Sequence, residues 1–249
     1  MLVKTLLNKV EKHKGFIYGD VTLEEGGRAR LLVEVRPDKR CKKAVCSGCD
    51  ELRTCYDKMP TVRYFQFPPL WGFLVFLVYV MRRVDCPRCG VKIEKVPWAS
   101  GKSPTTTTYA WFLARWAKVL SWKQVAGSFR TSWDTVYRSV QLAVTWGLEH
   151  RDLTGIRSLG VDEVSRGRGQ DYLTLVYQID EHCKRLLWVG EDRTKATLDA
   201  FFDMFGLRAR WLVYVASDMW QPYLEVLARR AKRAIHVLDR YHIVAKMNK

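Results

Sequence analysis

Two cysteine pairs and a few aspartates at the ends of apolar runs are the residues of this chain best placed to do chemistry. Cys46-Ser-Gly-Cys49 and Cys86-Pro-Arg-Cys89 are CxxC knuckles. A CxxC turn lets two thiolates reach one ion. Two such knuckles on neighbouring hairpin tips complete a tetrahedral Zn²⁺ site. Gly48 and Gly90 stand where a tight turn would want them, and Arg82, Arg83, Arg88 and Lys92 would favour the thiolate. The stretch between the pairs is longer than in compact zinc ribbons, so Cys41 and Cys55 are further candidates to replace one ligand. The bland alternative is a set of reduced, buried cysteines. Cys183, alone in a strand-like run, reads as structural.

The acids suggest a second chemistry. Asp162 closes Ser158-Leu-Gly-Val-Asp162, and Asp218 closes Trp211-Leu-Val-Tyr-Val-Ala-Ser-Asp218. Short apolar runs rich in β-formers and bounded by turn residues read as buried strands. If the two strands are parallel neighbours, their ends lie about 5 Å apart, and two carboxylates so placed can share a divalent metal ion. Asp239 ends a further strand, roughly 10 Å from the first. It is a supporting candidate, with His242 close by in sequence. Simpler roles compete: Asp218 as an N-cap with Gln221 three residues on, Asp162 as a turn acid beside Glu163, and Asp239 as a partner of Arg240 or His242. After Asp239 the sequence carries no carboxylate, whereas two-metal phosphodiester chemistry uses several.

Composition sets the class. The 249 residues are 48% hydrophobic, which supports a packed core and excludes wholesale disorder. A formal net charge of +16 favours a polyanionic partner, for which nucleic acid is the usual reason. The N-terminus lacks the apolar core and cleavage site of a signal peptide. The most apolar stretch, Phe67 to Met81, is short for a membrane span and contains Pro68, Pro69 and Gly72. It reads as a buried strand. A cytoplasmic chain with reduced cysteines is therefore expected, in which metal binding competes better than disulfides.

The elements that must position these residues fall in order. Residues 1–40 hold strand-like pieces of obscure role. Residues 41–98 form the candidate zinc-binding domain, and 99–108 read as a polar linker. Residues 109–150 show helical periodicity. Ser121 caps Trp122 to Phe129 with Gln124 at the capping-box position, Arg130-Thr-Ser132 breaks the pattern, and a second amphipathic helix runs from Trp133 to Ala143. Helix, short turn, helix is the helix-turn-helix pattern. Asp134, Thr135, Arg138 and Gln141 are its candidate DNA-binding residues, of which Arg138 and Gln141 carry the best base-reading chemistry. An ordinary helical hairpin is the competing reading. From residue 156 to 249 the order is three strands, helix, strand, helix, strand. That is the order of a ribonuclease-H-like fold, and it makes the chain α/β in class.

Four stretches carry a resemblance. They are Leu159-Gly-Val-Asp-Glu-Val-Ser165, Trp188-Val-Gly-Glu-Asp-Arg-Thr-Lys195, Ser217-Asp-Met-Trp-Gln-Pro-Tyr223 and Leu238-Asp-Arg-Tyr-His-Ile-Val244. With the order of zinc region, helix-turn-helix and acidic domain, they resemble the ISL3 family of bacterial insertion-sequence transposases, within the DDE superfamily. The resemblance implies a cut-and-join reaction on double-stranded DNA, at the element's terminal inverted repeats and at a target. Asp162 and Asp218 would take the first two catalytic positions and ligate Mg²⁺ or Mn²⁺. The family's third carboxylate, a Glu, falls further downstream, and Asp239 belongs to a different motif. The reading is thus of a C-terminally truncated, incomplete domain, inactive as it stands, nucleoid-associated, with self-association left open. The alternative is a non-catalytic DNA-binding regulator derived from a transposase.

Overall fold

The structure is a computed structural model that describes residues 3–26, 29–167, 171–239, 243, 244 and 247. The chain divides into two compact units, Met1–His150 and Arg151–Lys249.

In the first unit, α1 (Val3–Val10) precedes β1 (Phe16–Glu24), β2 (Arg30–Pro37), β3 (Lys43–Val45), β4 (Leu52–Leu70), β5 (Phe73–Cys86) and β6 (Gly90–Ile93). The sheet order is β1-β2-β5-β4-β3, with β6 also on β5. Residues 1–40 thus supply one edge of the sheet that carries the cysteine knuckles. All pairings are antiparallel except β2 with β5, which is parallel. The apolar run from Phe67 to Met81 is not one buried strand, as its composition suggests. It folds back on itself, with Leu70 paired to Phe73. The two residues between them, Trp71 and Gly72, both have positive φ (49° and 83°), as a primed hairpin turn requires. Gly72 accepts that backbone without strain.

Period-two burial along β5 sends Val75, Leu77, Tyr79 and Met81 into a core with Val33, Val35, Phe65 and Phe67. Trp98 is its hub: the ring is buried and meets Tyr79 edge-on at 5.3 Å and Phe16 at 4.9 Å. Residues 99–108 are pinned along β4. Gln66 N–H donates to Pro104 O at 2.7 Å, Thr106 N–H to Gln66 O at 2.9 Å, and Arg63 Nη2 to Ser103 O at 3.1 Å.

Three helices follow: α2 (Thr107–Trp116), α3 (Trp122–Ser128) and α4 (Trp133–Glu149). Each begins on a hydroxyl cap, Thr106, Ser121 and Ser132, and Ser121 with Gln124 forms the complete capping box. Tyr109, Leu113, Val125, Ala126 and Val136 make their common core. Tyr109 Oη donates to Phe129 O at 3.0 Å and ties α2 to the end of α3. The turn into α4 passes through Arg130 at φ 52°. Helix α4 runs past Ala143 to Glu149, because no proline or uncapped break interrupts it.

The second unit holds β7 (Ser158–Ser165), β8 (Tyr172–Asp180), β9 (Cys183–Glu191), α5 (Lys195–Phe205), a 3₁₀ turn Gly206–Trp211, β10 (Tyr214–Ser217), α6 (Gln221–Arg230) and β11 (Ile235–Leu238). Thr194 caps α5, as its sequence indicates. The sheet order is β11-β10-β7-β8-β9, with β11, β10 and β7 parallel and the rest antiparallel. One face buries Leu159, Val161, Val176 and Val215 under Leu198, Phe201, Phe205, Tyr223 and Val226 of the two helices. The chain is therefore α/β in class. Among the described residues no helix is long and apolar enough to cross a membrane.

Candidate functional site

Two places in the chain gather reactive side chains, one in each unit. In the first, the Cys46 knuckle turns between β3 and β4, and the Cys86 knuckle between β5 and β6. Their four sulfurs all lie within 4.8 Å of one another, and Cys49 Sγ is 3.6 Å from Cys86 Sγ. Zinc–sulfur bonds of about 2.3 Å in a tetrahedron require sulfurs about 3.8 Å apart, so the donor set fits that ion. Cys46 and Cys86 are buried on Ala44 and Val84, while Cys49 and Cys89 are half-exposed.

The local backbone explains the convergence. Each knuckle is followed by a residue in the left-handed region, Asp50 at φ 60° and Gly90 at φ 69°. Gly48 donates its N–H to Cys46 Sγ at 3.4 Å. Here the missing side chain matters, since a Cβ at Gly48 would lie 2.9 Å from Cys89 Sγ. Gly48→Ala is expected to cost about 1–3 kcal/mol by overpacking and to weaken metal retention. Competition with a chromophoric chelator measures this; retention equal to wild type would show that the knuckles relax around the methyl group.

Two of the four thiols are shifted, in opposite directions. Burial raises the Cys86 thiol, but N–H groups of Arg88 and Cys89 and the neighbouring thiols outweigh it and leave Cys86 lowered. Burial and its cysteine neighbours push Cys89 up. Sulfurs this close do not all ionise unless a cation compensates them. Arg53 supplies part of that charge: its guanidinium, raised by hydrogen bonding to Cys86, also reaches Cys49. Cys41 is exposed, and Cys55 packs beside the group with its Sγ 3.5 Å from Lys42 O; neither belongs to the four. Cys183 opens β9, its Sγ 3.5 Å from Gln178 Oε1.

Beneath the knuckles lies a buried ion pair that sequence reasoning did not single out. Glu94, whose side chain is 0% exposed, receives Arg82 Nη2 at 2.7 Å and Arg82 Nε at 2.9 Å. Its other oxygen accepts Arg82 N–H at 2.7 Å and Tyr79 Oη–H at 2.6 Å. Glu94 bridges to Cys46 across the sheet. A lone acid after a short strand gives no signal in the sequence; only the parallel and antiparallel neighbours of β5 place it inside.

In the second unit, β7 and β10 are parallel neighbours whose last pair is Gly160 with Ala216. Asp162 and Asp218 each lie two residues beyond that pair, so their backbones are level across adjacent strands, which run about 4.8 Å apart. Asp162 sits within β7, which continues to Ser165 against β8, and so does not end the strand. It is exposed, and alternation puts it on the face opposite Leu159, Val161 and Glu163. Asp218 follows β10 and is nearly buried. Its Oδ1 accepts the N–H of Trp220 at 3.1 Å and its Oδ2 accepts Arg193 Nη2 at 3.0 Å. Arg193 also pairs with Glu163 and lies over the Trp220 ring, 4.3 Å from its centroid. The acid linked to Asp218 is therefore Glu163, through Arg193. Burial holds the Tyr223 phenol in the same cluster above its ordinary range, with its oxygen 2.7 Å from Thr174 Oγ1.

Carboxylate oxygens are the donors hard divalent cations take, and each Asp218 oxygen keeps a second lone pair beyond its hydrogen bond. Among the described contacts Asp218 meets Arg193, which also pairs with Glu163, while Asp162 faces solvent. Arg193 falls in one of the motif stretches, but its bridging role was not legible there. Asp239 follows β11, the edge strand, and donates its N–H to Ser217 O at 2.9 Å. His242 lies outside the described residues.

On α4, Asp134, Arg138 and Gln141 form an exposed stripe, with Arg138 Nε 2.9 Å from Asp134 Oδ2. Thr135 is half-buried, and its hydroxyl lies 2.8 Å from Ser132 Oγ at the cap. Arg138 and Gln141 are thus available to a ligand, while Thr135 has a structural task.

Residues 159–249 match the ISL3 family model described as Transposase. The transposase for insertion sequence element IS1557 of Mycobacterium tuberculosis is 31% identical over 93% of this chain and 53% of its own length. The transposase for insertion sequence element IS1001 of Bordetella parapertussis is 27% identical over 99% of this chain and 60% of its own length. The chain spans about half the length of the curated relatives it matches.

Proposed function

Through residues 159–249 the chain belongs to the ISL3 family of insertion-sequence transposases, and from that premise we propose that it binds the ends of its element and acts in metal-dependent cleavage and transfer of DNA strands. The observation that carries this is the parallel pairing of β7 with β10 inside the family-matched segment, with Asp162 in β7 and Asp218 directly after β10. We read the second unit as ribonuclease-H-like, with Asp162 and Asp218 as its acids and Asp239 and His242 in support. Mg²⁺ or Mn²⁺ bound there would activate water and neutralise charge on the phosphate. The chain's own part is to hold Asp218 fixed between Trp220 N–H and Arg193 and to keep Asp162 open to solvent.

The first unit presents the DNA. Its helical trio reads as a helix-turn-helix, with Arg138 and Gln141 facing base edges and Thr135 at the cap. The four cysteines read as a structural zinc-ribbon-like site that stiffens the sheet next to it. The self-contained core of α2, α3 and α4 favours a second reading: DNA binding without catalysis, as a regulator at the same ends.

Two measurements on the whole chain test the proposal. Mn²⁺ binding, followed by electron paramagnetic resonance, is expected to weaken at least tenfold in Asp218→Asn and in Asp162→Asn, and less in Glu163→Gln. Any divalent-dependent nicking of terminal-repeat DNA by the whole chain is expected to disappear in the same two variants. Equal Mn²⁺ affinity in wild type and both Asn variants would remove the aspartates from the site. Binding of terminal repeats no tighter than of random duplex would remove the end-binding role.

A further inference from the structure

The end of the second unit opposite its acids holds a group of cations that neither the carboxylate site nor α4 uses. A cavity of about 480 Å³ opens there, lined by Arg210, Trp211, Arg229, Arg230, Lys232 and Arg233 with Ala209. A second hollow adjoins it and shares Arg210, Arg229 and Arg230. These residues come from three places: the 3₁₀ turn before β10, the last turn of α6, and the loop into β11. Helix α6 starts beside Asp218, where Trp220 N–H meets the carboxylate, and ends at this cavity. Its ten residues span about 15 Å, so the cavity is a separate place from the acids.

Some of these cations have structural tasks. Arg229 and Arg230 pair with Asp199, and Arg230 with Asp203. Both lie in the last turn of α6, where the helix dipole favours positive charge. Arg210, Lys232 and Arg233 have no such duty. All three are exposed, and among the described residues no acid pairs with them. Three unneutralised cations around one hollow raise the local potential and concentrate anions. At the lip Trp211 is 65% exposed, a flat aromatic face beside the charges. Guanidinium groups bind phosphate oxygens in a forked geometry that a solvated surface lysine lacks.

We propose that this cavity is a second DNA contact, taking phosphates of the backbone through Arg210, Lys232 and Arg233, with Trp211 against the sugar. The hollow admits a phosphate or two and not a duplex, so the strand lies across it and is held without regard to sequence. The inference rests on the reading of the chain as a DNA-acting protein, but not on α4 or on the acids.

The test is fluorescence anisotropy of a random-sequence duplex with the whole chain across a range of salt. Neutralising Arg210, Lys232 and Arg233 to Gln together is expected to flatten the slope of log affinity against log salt by about 2 to 3 and to weaken binding about tenfold or more at fixed salt. A control with the same charge change, Lys9, Lys12 and Lys14 to Gln, is expected to lose much less. Arg210→Lys with Arg233→Lys keeps most of the slope, which separates lost charge from a damaged fold. Equal loss in the control and cavity variants would reduce the effect to net charge and overturn the proposal. So would an unchanged slope in the cavity variant, or a wild type that does not bind random duplex. Loss of preference for terminal repeats in Arg138→Ala, with the random-duplex slope intact, would instead bear on α4 and leave the cavity standing.

Discussion

Glu94→Ala is expected to destabilise the first unit by about 3–5 kcal/mol, a large share of the stability of a domain this size. The reason is burial without escape. Arg82 is 8% exposed in its side chain and has its guanidinium on Glu94. Removing the carboxylate leaves a charge with no anion in the core and strands the Tyr79 hydroxyl and the Arg82 N–H. Burial together with Glu94 holds the Tyr79 phenol far above its ordinary value, so ionising Tyr79 offers no relief. Glu94→Gln keeps the shape and half the acceptors and is expected to cost less than Ala. Replacing both charges, Arg82→Met with Glu94→Leu, is expected to recover part of the loss, because no lone charge stays buried while the Tyr79 hydroxyl and the N–H of residue 82 still lack their acceptor. Urea unfolding at neutral pH measures all three. A cost below about 1 kcal/mol for Glu94→Ala would mean that the pair is not closed in solution.

Metal removal is the second large effect. Wild type is expected to hold one zinc per chain, and Cys86→Ser or a strong chelator to abolish it. At free zinc a hundredfold above Kd, binding adds about 2.7 kcal/mol to stability, and tighter sites add more. The loss has a predicted place. The cysteines pack on Ala44 and Val84, in a cluster separate from the Trp98 core. Hydrogen exchange is therefore expected to rise across β3, the start of β4 and β6, while Trp98 and its neighbours stay protected. Uniform deprotection of the whole unit would show instead that the two clusters melt together. Absence of zinc from protein purified without chelators would remove the metal reading.

Local chemistry made much of this legible in the sequence. The capping box at Ser121 and Gln124, the paired CxxC knuckles and the apolar strands of the second unit are patterns that neighbouring residues decide. What stayed hidden depends on partners far away in the chain. Residues 16–37 carry strand signals, but only parallel pairing of β2 with β5 shows that they share a sheet with the knuckles. The apolar run near Trp71 reads as one strand because hydrophobicity does not mark a turn. Gly72 was the clue, and its weight depends on pairing that lies outside any short window. Asp162 and Asp218 were legible as neighbours through strand order. The link from Glu163 through Arg193 to Asp218 was not, since Arg193 comes from the loop after β9.

The long β4–β5 hairpin has a consequence for how the chain reaches its fold. Its strands are adjacent in sequence and joined by two residues, so their ladder can zip outward from Trp71–Gly72 at small loop-closure cost. The Cys49 and Cys86 ends close last in such a zipper, so a metal ion bound there would fix the register of the ladder last. The parallel β2–β5 pairing, which joins Arg30 to Leu74, must wait for a much larger loop to close. Folding of the first unit is thus expected to start at the tip farthest from the cysteine knuckles and to finish at the knuckles and at β2. On that order, mutations near Trp71 slow folding, whereas loss of a cysteine speeds unfolding.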